Sequence, residues 1–263
     1  MFEEFKKTMV REFEMTDIRL MSYYLGIEVN QKEEGIFISH SGFAKEVLKK
    51  FKMENYNPVS TPAECGLKLS KDDKGEKVNS TEFRSLVGSL RYLTCTRPDI
   101  LYSVGLVSRY MEAPTMSHWN AAKRILRYIK GTIDHGLVYT KSETFKLVGY
   151  CNSDWAGDMD DRKSTTGFVF FLGDTTFTWS SKKQAIVTLS TCEAEYVATS
   201  CACHAIWLRK LLKELNMTQE ESIEIFVDNK SALALAKNPV FHDRSKHIVR
   251  DIISYESAWS RKK

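Results

Sequence analysis

The spacing of apolar residues changes near Thr140, and this change limits what the chain can fold into. Before that point, apolar residues recur every three to four positions in several segments, which is typical of amphipathic helices. After it, runs of β-branched and aromatic residues alternate with turns rich in Gly and Asp, which predicts strands. The sequence therefore predicts a mixed α+β or α/β protein, with a helical region first and a mixed sheet with flanking helices after it.

Helices and one hairpin are predicted in the first part of the chain. Apolar spacing predicts a helix over residues 2–13 and another over residues 41–51, and two β-prone runs around a polar turn predict a hairpin over residues 24–38. Residues 57–80 contain prolines, glycines and a charged tract, so we expect a long exposed connection there. This connection separates two packed pieces.

Three more helices are predicted before residue 132, and the last, over residues 117–130, has a basic face opposite an apolar one. Such a face either meets solvent or follows a phosphate backbone. The formal net charge of +4 permits a polyanionic partner but does not by itself indicate one. The candidate phosphate contacts are Lys123, Arg124, Arg127, Lys130, Lys182, Lys183, Arg244 and Lys246.

In the last part of the chain the predicted order of elements is β-β-β-α-β-α. The first three strands form an antiparallel meander over residues 145–150, 165–172 and 176–181. A helix opened by Ser190 and running to Leu215 follows, because Ser190 and Glu193 have the spacing of a capping box. A fourth strand and a short helix complete the order.

Three acidic residues fall at the ends of these elements: Asp154, Glu195 and Asp228. Each alone has an ordinary explanation, because carboxylates at such places cap turns and helices. Together they are consistent with a metal site, since hydrolysis of a phosphodiester by two cations ~4 Å apart requires carboxylates from several elements. We expect Glu193 to serve the capping box and Asn229 to cap the last helix, which leaves Glu195 and Asp228 as metal ligands.

Cysteine spacing and hydropathy indicate the compartment. The six cysteines have no zinc-ligand or secreted-framework spacing, so we expect small buried side chains in a reducing environment. No apolar run reaches the ~18 residues that span a bilayer, and the N-terminus is charged where a signal peptide is apolar. We expect an intracellular protein without membrane contact, located in the cytoplasm, the nucleus or both.

Several motifs, taken in order, resemble one known family. They include LGIEV at 25–29, RSLVGSLRYL at 84–93, TRPDI at 96–100, KRILRYIKGT at 123–132, RKSTTG at 162–167, WSSKKQ at 179–184, EAEY at 193–196, VDN at 227–229 and HDRSKHI at 242–248. In these motifs the chain resembles the C-terminal part of the Pol polyprotein of copia-type LTR retrotransposons. That part is the end of the reverse transcriptase followed by RNase H.

The resemblance implies two domains. Residues 1–138 would be distal reverse transcriptase, with a palm remnant and its primer-grip hairpin in about 1–56 and the thumb and connection in about 80–132. Residues 139–263 would be an RNase H-like domain that is C-terminally incomplete. Implied partners are an RNA–DNA hybrid and the rest of the Pol polyprotein, if a longer frame is expressed. The polymerase's Tyr-x-Asp-Asp pair has no counterpart in this sequence, so we expect no DNA synthesis.

The family's RNase H site carries over with two departures. Glu195 matches the helix glutamate and Asp228 the fourth-strand aspartate, but the first-strand aspartate falls on Asn152. The last carboxylate, in an Ala-Asp-x-x-Thr-Lys segment, has no match because the sequence leaves the pattern after Ile248. An amide oxygen brings no negative charge to Mg²⁺ or Mn²⁺, and losing about 3 kcal/mol of stabilisation costs roughly two decades of rate.

Two hypotheses about activity follow. In the first, the chain is a retrotransposon-derived Pol fragment whose degenerate RNase H site holds nucleic acid with lost or weak cleavage. In the second, it is an active hybrid ribonuclease that binds magnesium through Glu195, Asp228 and Asp154. Asp154 would replace the carboxylate missing at Asn152, but it lies ~6.6 Å further along the strand. Because that distance is poor for replacing a ligand, the sequence favours the first hypothesis and leaves enzymatic activity open.

Overall fold

The chain forms a mixed α+β structure with two four-stranded sheets, which confirms the predicted mixture of helices and strands. The computed structural model describes residues 2–14, 20–141 and 145–237. No helix in these ranges is both long and apolar enough to cross a membrane.

The first sheet contains the predicted hairpin and one strand that the sequence pattern did not reveal. Helix α1 (Phe2–Glu12) precedes it. All neighbouring strands are antiparallel, in the order β1 (Tyr23–Tyr24), β2 (Ile27–Lys32), β3 (Gly35–Ser39) and β4 (Leu137–Thr140). Because β4 pairs with β3, the first sheet extends across the predicted boundary between residues 138 and 139.

Four helices build the core of the first part: α2 (Ser41–Lys50), α3 (Ser80–Leu93), α4 (Leu101–Val107) and α5 (Met116–Gly131). Their apolar stripes meet, and the stripe predicted in α3 is buried along its length. Asn79 caps α3 by accepting the N–H groups of Thr81 and Glu82. Three turns of apolar burial and a satisfied first turn explain why this segment is helical.

The connection over residues 57–80 is mostly exposed, as predicted, but it is anchored to the rest of the protein. Leu69 is buried, and its carbonyl accepts the Tyr110 hydroxyl. Ser70 and the backbone N–H of Lys71 both donate to the carboxylate of Asp160, ninety residues along the chain. The connection therefore bridges the helices and the second part of the chain.

The second sheet is mixed and has the strand order β7-β6-β5-β8. Strand β5 is central and is antiparallel to β6 but parallel to β8, as expected when a helix separates two strands. The elements are β5 (Leu147–Ser153), β6 (Thr165–Leu172), β7 (Thr175–Lys183), α6 (Thr191–Ala198), α7 (Cys201–Glu214), β8 (Glu224–Phe226) and α8 (Lys230–Lys237).

The single helix predicted from Ser190 to Leu215 is in fact two helices, and that prediction was wrong. The chain turns at Thr199 and Ser200 between α6 and α7. The Thr199 hydroxyl donates to the Tyr196 carbonyl, a local bond by which Ser and Thr side chains compete with the helical ladder. Because of this break, α6, which carries Glu195, is a separate helix from α7.

The second core lies between one face of this sheet and α7. Leu147 and Cys151 of β5 point into it, where they meet Leu208 and Leu212. Gly149 lies between them because the Phe170 ring occupies its side-chain space, and a Cβ there would lie 2.5 Å from the ring. Strand alternation then directs the neighbours of these residues to the opposite face of the sheet.

The prediction that all six cysteines are buried was wrong. Only Cys151 and Cys201 are buried, whereas Cys192 is half-buried. The exposed cysteines are Cys65, Cys95 and Cys203. All six are free thiols.

Candidate functional site

The parallel pairing of β5 with β8 brings two predicted site residues together. Tyr150 pairs with Phe226, the last residue of β8, and Asn152 and Asp228 each follow two residues later in the chain. Both side chains are exposed and line the same cleft. Asn229 accepts the N–H groups of Ser231 and Ala232, so it caps α8 as predicted and leaves the Asp228 carboxylate available.

Glu195 lies behind this pair, on α6. Its side chain is buried, with 4% of the residue exposed, and Oε1 accepts the backbone N–H of Ser153 over 2.7 Å. Its other oxygen, Oε2, is buried without a hydrogen-bond partner among the described residues. Burial raises the pKa of Glu195, the Ser153 N–H opposes that rise, and the negative charge of Asp228 adds to it. Glu195 and Asp228 therefore interact electrostatically.

Asp154 has a different local role. Its carboxylate accepts the backbone N–H of Thr165, which ties the end of β5 to the start of β6. Burial raises the pKa of Asp154, and the Thr165 N–H and the charge of Arg109 partly oppose that rise. As a substitute ligand, Asp154 would have to give up this bond.

A cleft of about 900 Å³ runs between α4 and the sheet face opposite α7. Asn152, Asp154 and Asp228 line one end of it, whereas Glu195 is not among its lining residues. The remaining walls combine aromatic and aliphatic side chains with Ser and Thr hydroxyls. Of the four positions in the predicted site, three thus share one solvent-accessible space and the fourth lies beneath the sheet edge.

The donor set does not fit a two-metal centre. Within residues 2–14, 20–141 and 145–237, no three His, Cys, Asp or Glu side chains are grouped closely enough to hold a metal ion. The site offers the buried carboxylate of Glu195 with one unpartnered oxygen, the exposed carboxylate of Asp228, the neutral amide of Asn152 and the carboxylate of Asp154, which is already bound to the Thr165 N–H. Two divalent cations need more negative charge than this.

An ionic network beside the site was not predicted from the sequence. Asp158 is buried, and its Oδ2 pairs with Arg109 over 3.0 Å and with Lys183 over 2.7 Å. Its Oδ1 accepts the N–H groups of Asp160 and Asp161 and so caps the turn that follows. Burial opposes ionisation, but the Lys183 ammonium and these N–H groups hold the pKa of Asp158 well below its usual range.

Gln184 is a second feature that sequence reasoning missed. Its buried side-chain amide donates to Ser153 Oγ on β5, Thr166 Oγ1 on β6 and the Ala194 carbonyl on α6. The residue therefore joins the three elements around Glu195. The only sequence signal was its place in the WSSKKQ motif.

The four basic residues predicted on α5 do lie along one face, where they contact the connection. Arg124 donates to Thr61, Arg127 to the Asn57 carbonyl and Lys130 to the Tyr56 carbonyl. Lys123 lies over the rings of Tyr56 and Trp119. A phosphate at this face would meet cations that already have internal partners.

The remaining predicted phosphate contacts are dispersed. Lys182 is exposed at the end of β7, and Lys183 is paired with Asp158 and Asp161. Arg244 and Lys246 lie outside the residues that the structure describes.

Comparison with known proteins gives a family model and several relatives. Residues 1–65 match the family model described as reverse transcriptase (RNA-dependent DNA polymerase). The chain is 40% identical over 242 residues to the retrovirus-related Pol polyprotein from transposon RE2 of Arabidopsis thaliana, covering 92% of this chain and 17% of that protein. It is 39% identical over 269 residues to the corresponding polyprotein from transposon TNT 1-94 of Nicotiana tabacum, covering 96% of this chain and 20% of that protein.

A third relative is of similar size to the chain itself. The uncharacterized mitochondrial protein AtMg00810 of Arabidopsis thaliana is 42% identical over 187 residues, which are 71% of this chain and 77% of that protein. The chain thus spans a fifth or less of the two Pol polyproteins but most of this shorter relative. No solved structure matches it significantly.

Proposed function

Because the chain belongs to the copia-type retrotransposon Pol family, we propose that it is a Pol fragment with a degenerate RNase H site. It would bind an RNA–DNA hybrid with lost or weak cleavage, and it would not synthesise DNA. In this proposal the second sheet with α6, α7 and α8 is an RNase H-like unit. The first sheet with α2 to α5 derives from the distal reverse transcriptase.

The main support for the proposal is that a neutral amide, Asn152, lines the same cleft as Asp228 and lies one residue before the N–H that binds Glu195. A hydrolytic centre at this place would need a third carboxylate to hold cations against the attacking and leaving oxygens. Asn152 supplies an oxygen without charge. The site would retain its shape and lose most of its affinity for the metal.

Binding of an RNA–DNA hybrid does not require the metal-binding carboxylates that cleavage requires. Cations that track a phosphate backbone supply most of the affinity for nucleic acid without any reacting group. Lys182 is exposed at the end of β7, and the α5 cations would have to exchange their contacts with residues 56–61 for phosphates. The proposed contacts therefore survive the loss of the carboxylate.

The alternative is an active magnesium-dependent hybrid ribonuclease. It would use Glu195, Asp228 and Asp154, and the unpartnered buried oxygen of Glu195 is the observation in its favour. It requires Asp154 to release the Thr165 N–H. We regard that rearrangement as the weaker explanation.

Fluorescence anisotropy with a labelled blunt RNA–DNA hybrid tests the binding part, in EDTA and over a series of KCl concentrations. We expect the logarithm of the association constant to fall linearly with the logarithm of salt concentration. Lys182→Ala should reduce that slope by about one, because one phosphate contact is lost. Lys213→Ala is the matched control, since Lys213 lies on α7, behind the sheet. A slope near zero for the unsubstituted chain contradicts the proposal.

A further inference from the structure

We propose that the cleft between α4 and the second sheet binds an unstacked, amino-bearing nucleobase from an unpaired stretch of a polynucleotide. This binding site goes beyond the proposed grip on a hybrid and does not depend on it. Three properties of the cleft support it: its aromatic wall, the kind of polar group at its end and the absence of cations from its described lining.

The aromatic wall is already assembled on the sheet. Tyr150 and Phe226 stack at a centroid distance of 5.1 Å with 19° between their planes, and Phe171 meets Tyr150 edge-on at 5.8 Å. Tyr150 is nonetheless 47% exposed and Phe226 50% exposed. Half-exposed rings held by their neighbours form a platform on which a base can stack with little further ordering.

The facing wall comes from α4, where Leu101 and the half-exposed Tyr102 line the cleft. Burial raises the pKa of Tyr102, and the charge of Asp154 raises it further, so the phenol stays neutral. A neutral phenol contributes a flat apolar surface and one hydroxyl. The cleft is therefore lined by aromatic residues from the sheet and by one from α4.

The charged and amide groups of the polar end are mostly acceptors. Asp154 and Asp228 offer only acceptor oxygens when ionised, and Asn152 offers one acceptor and one donor group. The cleft is also lined by hydroxyls that can donate or accept, those of Ser153, Thr165, Thr176, Ser180 and Ser181. An exocyclic amino group brings two N–H donors to the acceptors, and an Asn amide pairs with adenine through two hydrogen bonds. Uracil and thymine lack such an amino group and bring only the single N3–H. The complementarity therefore favours adenine, and then the other amino-bearing bases.

The aromatic part of the cleft suits a base better than a phosphate. None of the described lining residues is Lys, Arg or His, and two are aspartates. A phosphodiester among the aromatic residues would have no cationic side chain as a partner, so the base enters there while its backbone stays outside. A base that is already unpaired enters at the lowest cost, because no stacking or pairing in a duplex has to be broken.

The test compares labelled RNA–DNA hybrids that differ only in a short single-stranded tail of adenosines, of uridines or of abasic units, together with the blunt hybrid and an oligoadenosine alone. We expect the adenosine tail to bind roughly tenfold more tightly than the abasic tail, with the uridine tail close to the abasic one. Equal binding of the adenosine and abasic tails overturns the proposal. Uridine binding as tight as adenosine overturns its selectivity for amino groups.

Substitutions in the cleft test whether the base of the adenosine tail binds there. Tyr150→Ala and the milder Phe226→Leu, which keeps an apolar side chain in the strand, should each abolish most of the advantage of the adenosine tail and leave blunt-hybrid binding unchanged. Tyr23→Ala, in the exposed first hairpin, is the matched control and should change neither. If both cleft variants keep the advantage, the base binds elsewhere and the proposal is wrong.

The two proposals fail separately. Tight oligoadenosine binding without blunt-hybrid binding removes the proposed function and supports the cleft. Blunt-hybrid binding with no preference among tails supports the proposed function and overturns the base-binding cleft.

Discussion

Ser153 donates its backbone N–H to Oε1 of Glu195 over 2.7 Å, and this bond ties helix α6 to the strand that carries Asn152. Residue 152 and Glu195 are therefore held next to each other by the fold itself. Their relative position does not depend on a cation or on which side chain stands at residue 152. A carboxylate introduced at residue 152 would line the cleft with Asp228, next to the Ser153 N–H that binds Glu195.

Asn152→Asp should accordingly restore cleavage. The substitution adds the missing negative charge with almost no change in shape, so we expect Mg²⁺- or Mn²⁺-dependent cleavage of a labelled hybrid to rise by about two decades. Asn152→Ser is the control, because it removes the amide without adding a carboxylate. Adding Glu195→Gln to Asn152→Asp should abolish the gain. An Asn152→Asp protein as inactive as Asn152→Ser would mean that another deficiency limits the site.

Glu195→Gln should raise thermal stability at neutral and alkaline pH. Burial raises the pKa of Glu195 above its ordinary value of 4.5, so the folded state holds its proton more tightly than the unfolded state. The stabilisation from the protonated form is complete below pH 4.5 and is lost as pH rises through the folded-state pKa. The melting temperature of Glu195→Gln should exceed that of the unsubstituted chain at about pH 8, and the difference should shrink towards about pH 4.5.

The control for that prediction is Glu220→Gln, at an exposed position. It should show no such pH-dependent difference in melting temperature. A lower melting temperature for Glu195→Gln at alkaline pH would show that the bond from Ser153 outweighs the buried charge.

Asp158→Asn should destabilise the protein by about 3 kcal/mol at neutral pH, because it leaves Arg109 and Lys183 beside a neutral group. The pKa of Asp158 is depressed, so its contribution is present above the ordinary value of 3.8 and is lost as pH falls through the lower folded-state value. Urea unfolding at several pH values measures this. Asp174→Asn, on the surface, should change little. A constant difference down to the lowest pH would exclude the ionic explanation.

Gln184→Leu should destabilise the protein by about 2 kcal/mol, since it leaves three acceptors on β5, β6 and α6 without their donor. It should also speed hydrogen exchange at the Ser153 amide, because the bond to Glu195 depends on this packing. Gln31→Leu is the control, since the Gln31 amide donates to one carbonyl at the surface. Unchanged exchange at Ser153 would mean that Gln184 does not position Glu195.

Local signals in the sequence predicted local structure well. Asn229 and Ser190 were identified as caps from residue type and spacing alone, and both accept the expected N–H groups. The apolar stripe of α3 was also clear, because every turn of it is buried in one core. Each of these features depends on residues only a few positions apart.

Features that depend on distant residues were not predictable in this way. Strand β4 is only four residues long and exists because β3, about a hundred residues earlier, pairs with it. The basic face of α5 gave no sign that its cations contact the connection. Asp158 looked like a turn residue because Arg109 and Lys183 reach it only in the folded chain.

With Asn152 in the first-strand position, the site should lack effective cleavage. Incubation of the unsubstituted chain with an RNA–DNA hybrid labelled on its RNA strand, in Mg²⁺ and separately in Mn²⁺, tests it most directly, with Glu195→Gln run in parallel. We predict that the RNA is cleaved slowly or not at all and that Glu195→Gln makes no measurable difference. Rapid cleavage that Glu195→Gln abolishes would contradict the account.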